Sequence, residues 1–213
     1  MPYSLDPEAR PCAEAVIKKS RFIARLRYAV DEEHAADLLA HARTVDRGAG
    51  HHCFAYLLGD ETDCRAERSS DDGEPGGTAG APILRALKAR DLTNVAAVVS
   101  RYYGGVKLGT GGLARAYAGT VNAAIESASL RPRLRMEVFR LEADHADAGR
   151  VEGELRSRGF EVAELTYGDR AAITVLCTDP VELRSTVNGI TSGIGEIEHR
   201  GHVWRQRPDP RRR

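Results

Sequence analysis

Residues 71–74, Asp-Asp-Gly-Glu, set three carboxylates within four positions, and residues 101–115 set Arg101, Lys107 and Arg115 around a run of glycines. Carboxylates this close can share a proton or hold Mg²⁺. Cations beside glycine-rich backbone at a helix start can hold a phosphate or carboxylate, because unpaired N–H groups and the helix dipole favour negative charge there. Gly109, Thr110, Gly111 and Gly112 fall at such a start, with Gly104 and Gly105 just upstream. The stretch RYYGGVKLGTGG lacks the GxxxxGK[ST] of a Walker A loop and is not a dinucleotide GxGxxG with a following ribose acid. A structural reading stands beside the binding one. In it the glycines form a tight strand-to-helix turn, and Arg101 and Arg115 pair with Asp71, Asp72 or Glu74. Asp-Gly and Glu-Pro are also strong turn formers.

His51 and His52 have the right chemistry for a general base near neutral pH. With Cys53 and Cys64 they would form a metal site only if a hairpin joined them; the plainer reading is a strand thiol beside two unliganded histidines. No GxSxG, HExxH or other nucleophile signature occurs. Tyr102, Tyr103 and Tyr117 lie near the cations, where aromatic rings can stack on bases. Tyr117 also fits an apolar helix face, and Tyr102 and Tyr103 should alternate, one inward and one outward.

The elements that must position these residues follow from periodicity and punctuation. Residues 16–30 read as strand, and Asp31 caps a helix whose Ala35, Leu38, Leu39 and Ala42 recur at helical spacing. Residues 51–59 read as strand with 64–70 returning as a hairpin partner, and Thr78 or a neighbour caps a helix through Leu87. VAAVVS is an apolar run suited to a central strand. Leu113, Tyr117, Thr120, Val121, Ala124, Ile125 and Ala128 form one face of a helix over about 110–128. Residues 129–135 read as a linker, since Pro132 removes a donor and restricts its neighbour. Beyond it the order β-α-β-β-α-β recurs, the ferredoxin-like unit. The expected division is 1–130 and 136–206, with 207–213 a disordered basic tail.

The 213 residues are 42% hydrophobic, enough for a core, and 31 Lys+Arg balance 31 Asp+Glu. No global field draws the chain to nucleic acid or membrane, so an anion site must be local. No apolar run reaches the roughly 20 residues of a membrane span. No basic-then-apolar signal opens the sequence and no CxxC occurs, so a cytoplasmic chain with reduced thiols is expected.

KKSRFIA (18–24), His51-x-Cys53 followed by Ala55-Tyr56, DDGEPGGTAGAPIL (71–84) and NVAAVVSRYYGGVKLGTGGLARAY (94–117) resemble the IMPACT family, in its two-domain bacterial, YigZ-like branch. The resemblance is strongest over about 18–128; Tyr103 stands where the family often has Phe. It implies an α+β chain, with an N-terminal domain like domain 2 of ribosomal protein S5 and a ferredoxin-like domain after it. Elongation factor G pairs domains of these folds in the same order. Eukaryotic relatives regulate translation through a ribosome-associated partner that bacteria lack. The resemblance therefore implies a non-enzymatic, translation-associated regulator that contacts RNA, the ribosome or a protein partner, by fold-level analogy. The ligand-binding set would be Arg101, Tyr102, Gly104, Gly105, Lys107, Gly109, Gly111, Gly112 and Arg115, with Asp71, Asp72, Glu74 and His51. No catalytic residue, cofactor or metal is assigned. A hydrolase or phosphotransferase using Asp71, Asp72, Glu74 and His51 is the competing class, and a pure protein-interaction module a third. Replacing Arg101 or Lys107 with alanine is expected to weaken binding and leave the fold intact.

Overall fold

A computed structural model describes residues 2–60 and 65–206. The expectations placed on Cys64 and on the 207–213 tail fall outside the described residues. The order is β1 (Tyr3–Leu5), β2 (Cys12–Ile17), β3 (Ser20–Tyr28), α1 (Glu32–Val45), β4 (His51–Leu58), β5 (Ala66–Ser70), α2 (Gly80–Ala89), β6 (Val95–Tyr102), α3 (Thr110–Glu126), β7 (Leu130–Ala143), α4 (His145–Ser157), β8 (Glu161–Tyr167), β9 (Ala171–Cys177), α5 (Pro180–Ile190) and β10 (Ile197–Gln206). This is a mixed α+β chain that divides into two compact units, one running to Arg133 and including Gln206, the other Leu134–Arg205. No helix of the described residues is long and apolar enough to cross a membrane.

The first unit is built on an antiparallel sheet in the order β2-β3-β6-β4-β5. Its central strand is the apolar run Val95–Val99, buried throughout. Val95, Ala97 and Val99 pack towards α2 and α3, among Phe22, Ile83, Tyr117 and Val121. Ala96 and Val98 point the other way, to Leu38 and Ala42 of α1. A strand buried on both faces needs apolar side chains at consecutive positions, which is why this run lacks polar alternation. Asp31 caps α1 as expected, accepting from the His34 N–H at 2.9 Å.

Three elements depart from the sequence reading. The single strand expected over 16–30 is a hairpin, β2 to β3, turned at Lys18 and Lys19, which hold φ values of 46° and 65°. That two-residue turn normally calls for Asn or Gly, so two lysines gave no turn signal. The linker expected at 129–135 is strand: Leu130, Arg131 and Pro132 pair with Leu5, Ser4 and Tyr3 of β1, and β7 runs on from there. Proline is tolerated here because β1 is an edge partner only three residues long. Asp71, not Thr78, caps α2: its carboxylate accepts from Gly77, Ala79 and Gly80 N–H at 2.8, 2.9 and 2.8 Å. The Thr78 hydroxyl instead donates to the Pro75 carbonyl.

The second unit has the order β-α-β-β-α-β. β9 lies between β7 and β8, antiparallel to both, and β10 pairs with β7. Its core joins Phe139, Leu141, Ile173 and Val175 of the sheet to Val151 and Leu155 of α4 and Leu183 and Val187 of α5.

Candidate functional site

The starts of β3 and β4 and the end of β6 meet at one end of the first unit, since Arg21 pairs with Tyr102 and His51 with Arg101. The DDGEP segment, the loop 103–109 and the first turns of α3 gather there, and two layers can be distinguished.

The inner layer is polar and enclosed, and its charges are paired. Arg101 and Glu74 are buried, at 5% and 8% exposure, and the Arg101 Nη1 donates to Glu74 Oε1 at 2.6 Å. The Tyr117 hydroxyl donates to the same oxygen at 2.7 Å, and the Cys53 thiol lies 3.4 Å from that hydroxyl and 3.0 Å from the Asp71 carbonyl. Arg101 also donates to the Ser20 hydroxyl, which in turn accepts the Gly104 N–H. The guanidinium lies over the Phe22 and Tyr103 rings, and Phe22 meets Tyr117 edge-on at 5.2 Å. Burial pushes the Cys53 thiol up to about 12, so it stays protonated. Burial likewise raises the Tyr117 phenol, with Cys53 and Glu74 adding to it. Neither group is a nucleophile at neutral pH.

Each DDGEP carboxylate is committed within the fold. Asp71 caps α2; burial works to raise its carboxyl, but the three N–H bonds outweigh it and hold it below the usual carboxylate range. Asp72 accepts the His52 N–H at 2.7 Å, and its carbonyl accepts from His51 Nδ1 at 2.7 Å. Since a carbonyl only accepts, that nitrogen carries the hydrogen. Glu74 neutralises Arg101. Among the described residues no three His, Cys, Asp or Glu side chains gather to hold a metal. Of the pairing reading the sequence left open, the Arg101–Glu74 pair is present, while Arg115 makes no ion pair with the DDGEP carboxylates among the described residues. The expectation that Arg101 can be removed without harm to the fold is therefore corrected, because its loss strands a buried carboxylate.

The outer layer is basic and unpaired. Lys107 is exposed on the loop, and Arg115 is exposed on α3, with its Nη1 lying back towards Gly111. Lys18 and Lys19 stand exposed at the hairpin turn beside them. None of these four cations has an ion pair among the described residues. Gly104 explains the closeness: a Cβ there would lie 2.0 Å from the Lys19 backbone, so only glycine lets the loop cross the hairpin. Gly109 precedes α3 at φ 73° with no side-chain cap, and Gly105, Gly111 and Thr110 beside it are exposed. The first-turn N–H groups of a 17-residue helix thus open towards solvent. Tyr103 is 56% exposed, while Tyr102 is partly buried against Arg21. Gly112 packs on Leu108.

Of the residues singled out in the sequence, the structure places Lys107, Arg115, Gly104, Gly105, Gly109, Gly111 and Gly112 on or beside this outer layer. Arg101, Asp71, Asp72, Glu74 and His51 lie beneath it or at its edge. Sequence reasoning did not assign Lys18 and Lys19 to the site. The signal was there: the chain has only four lysines, and two of them interrupt a strand pattern side by side.

Over residues 18–125 the chain matches the Impact N-terminal domain, which defines the class of its first unit. It is 39% identical over 156 residues to the IMPACT family member YvyE of Bacillus subtilis, spanning 73% of this chain and 71% of that protein. It is 38% identical over 151 residues to the IMPACT family member YigZ of Escherichia coli, spanning 71% and 74%. A crystal structure of a hypothetical protein, 31% identical, superposes with a TM-score of 0.68 over 92% of this chain and 97% of its own. The chain belongs to the IMPACT family.

Proposed function

We propose that this protein is a non-enzymatic, cytoplasmic, translation-associated regulator whose first unit holds RNA through its phosphates. The observation that carries the reading is the outer layer: Lys18, Lys19, Lys107 and Arg115, unpaired, around the uncapped start of α3. A phosphate there gains helix N–H bonds and a full countercharge, and charge-assisted bonds of this kind contribute roughly 1.5–3 kcal/mol each. Tyr103, half exposed over the Arg101 guanidinium, offers a stacking face beside them. Family membership supports the translational context, since eukaryotic relatives regulate translation. We take the first unit to be S5 domain 2-like, by the resemblance. The strand order β10-β7-β9-β8 supports a ferredoxin-like second unit. The commitment of all three DDGEP carboxylates and the protonated Cys53 weigh against hydrolase or phosphotransferase chemistry.

The test is binding of the full chain to a single-stranded RNA oligonucleotide across a salt series. Lys107→Ala is expected to weaken binding about ten-fold and to lower the salt slope by about one. Lys18→Ala with Lys19→Ala should lower it further. Lys88→Ala is the comparison, because Lys88 sits on α2, paired with Glu67 at 2.5 Å. Equal losses in Lys88→Ala and Lys107→Ala would make the attraction diffuse, and no loss in either would return the loop to a purely structural role.

A further inference from the structure

On the other face of the same sheet lies a cavity of about 260 Å³ between β2, β3 and α1, lined by Arg10, Pro11, Cys12, Arg25, Arg27 and His41, with Leu38 on its apolar side. Register fixes the face: Arg27 pairs with Ala96 and Arg25 with Val98, and both partners belong to the cluster under α1. Among the described residues no carboxylate lines the cavity. Arg25 is already satisfied by the buried Asp46, at 2.5 Å. Arg10 spends one Nη on the Pro7 and Ala9 carbonyls.

Arg27 differs in its charge partner. Its Nε is buried with no hydrogen-bond partner among the described residues, as are the Nε atoms of Arg101, Arg131 and Arg133, but its guanidinium meets no carboxylate among the described residues. Three enclosed arginines of this unit do meet one: Arg101 faces Glu74, Arg131 Asp6 and Arg133 Asp60. A guanidinium held partly out of water with an orphaned N–H is unfavourable, unless something else supplies the acceptor. The fork of N–H donors fits two oxygens of one planar or tetrahedral anion. Pro11 and Leu38 would take an apolar body attached to it.

We propose that this cavity is a binding site for a small organic oxyanion, a phosphate ester or carboxylate on a compact apolar body, with Arg27 as its principal anchor and Arg10 as the second cation. The volume lies just under the ~300 Å³ lower end of small-molecule pockets, which limits the ligand to a single ring or short chain. The site is independent of the basic loop, which lies at the sheet end and carries none of these residues.

The experiment titrates the ¹⁵N-labelled full chain with phenyl phosphate, benzoate and inorganic phosphate, and follows the arginine Nε–H resonances. Phenyl phosphate or benzoate is expected to shift the Arg27 Nε–H saturably, and to bind at least about ten-fold more tightly than inorganic phosphate. Saturation by the ester alone, or by the carboxylate alone, names the group the site reads. Arg27→Gln should lose at least about ten-fold in affinity, while Lys107→Ala should bind as the parent does. The proposal is overturned if neither organic probe shifts Arg27 saturably, or if inorganic phosphate binds as tightly as both. Unchanged affinity in Arg27→Gln would also overturn it. Should that variant fail to fold, the parent titration decides alone.

Discussion

DDGEP at 71–75 and YYGGVKLGTGG at 102–112 sit at the same end of the same unit, both rich in glycine and charge. They use charge in opposite ways. In the first, Asp71 closes a helix, Asp72 closes a strand and Glu74 pairs with Arg101 in the interior. In the second, Lys107 has no ion pair among the described residues and no side chain caps the helix start after it. Charge in a sequence becomes available for binding only where the fold leaves it unsatisfied. The inner segment is a scaffold that presents the outer one.

The sharpest way to break this contrast is to remove the buried pair. Arg101→Met should leave Glu74 charged and enclosed, with only the Tyr117 hydroxyl to hold it. Stranding one member of a buried ion pair costs about 3–5 kcal/mol. A large fall in the urea midpoint is expected, with a similar fall for Glu74→Ala. The double variant Arg101→Met with Glu74→Leu should recover much of the loss, since no isolated charge remains. If Arg101→Met unfolds at the parent midpoint yet loses RNA affinity, the inner layer is itself the binding site and the division into two layers fails.

Asp71→Ala comes next. It orphans three N–H groups at the start of α2, and losses of about 2–3 kcal/mol are expected. Asp71→Asn keeps an acceptor and should lose less. Because the folded carboxyl sits below its ordinary value, its contribution is complete above about pH 4 and is lost as the pH falls through the depressed folded value. Acid unfolding of the Asp71→Asn variant should therefore be less steep than the parent's below about pH 4. An unchanged acid transition would separate Asp71 from the stability of α2.

Much of this was legible before the structure. The two-sided strand Val95–Val99, the Asp31 cap and the apolar face of α3 follow from local rules, because each is decided by neighbours within a few residues. The commitments of the charges were not. Asp71 reaches residues up to nine positions ahead, and Arg101 reaches Glu74 across 27, so spacing alone left both pairing and binding open. The Lys18–Lys19 turn was hidden because neither residue ordinarily favours positive φ. Leu130–Pro132 read as linker because its partner, β1, is a three-residue strand at the far end of the sequence from it.

The smallest expected effect probes the seam between the two segments, at His52. Its ring is buried, with Nδ1 3.0 Å from the Ser100 hydroxyl. Burial lowers its proton affinity; Arg43 and His51 add to this, while Asp72 and Asp46 oppose it. The folded value thus lies below the ordinary 6.5. Above that pH neither state holds the proton and the fold keeps its full stability. As the pH drops through 6.5 the unfolded chain takes up the proton first, so stability falls, by at most about 1.4 kcal/mol per pH unit, until the folded value is reached. His52→Asn places an amide near the position of Nδ1 and removes the titration. Urea midpoints from about pH 7.5 to about pH 5.5 should slope downward in the parent and less steeply in the variant. Parallel slopes would mean that other groups carry the acid sensitivity of this end. A steeper slope in the variant would mean that Asp72 and Asp46 outweigh burial and that the folded protein binds the proton at His52 more tightly than the unfolded chain does.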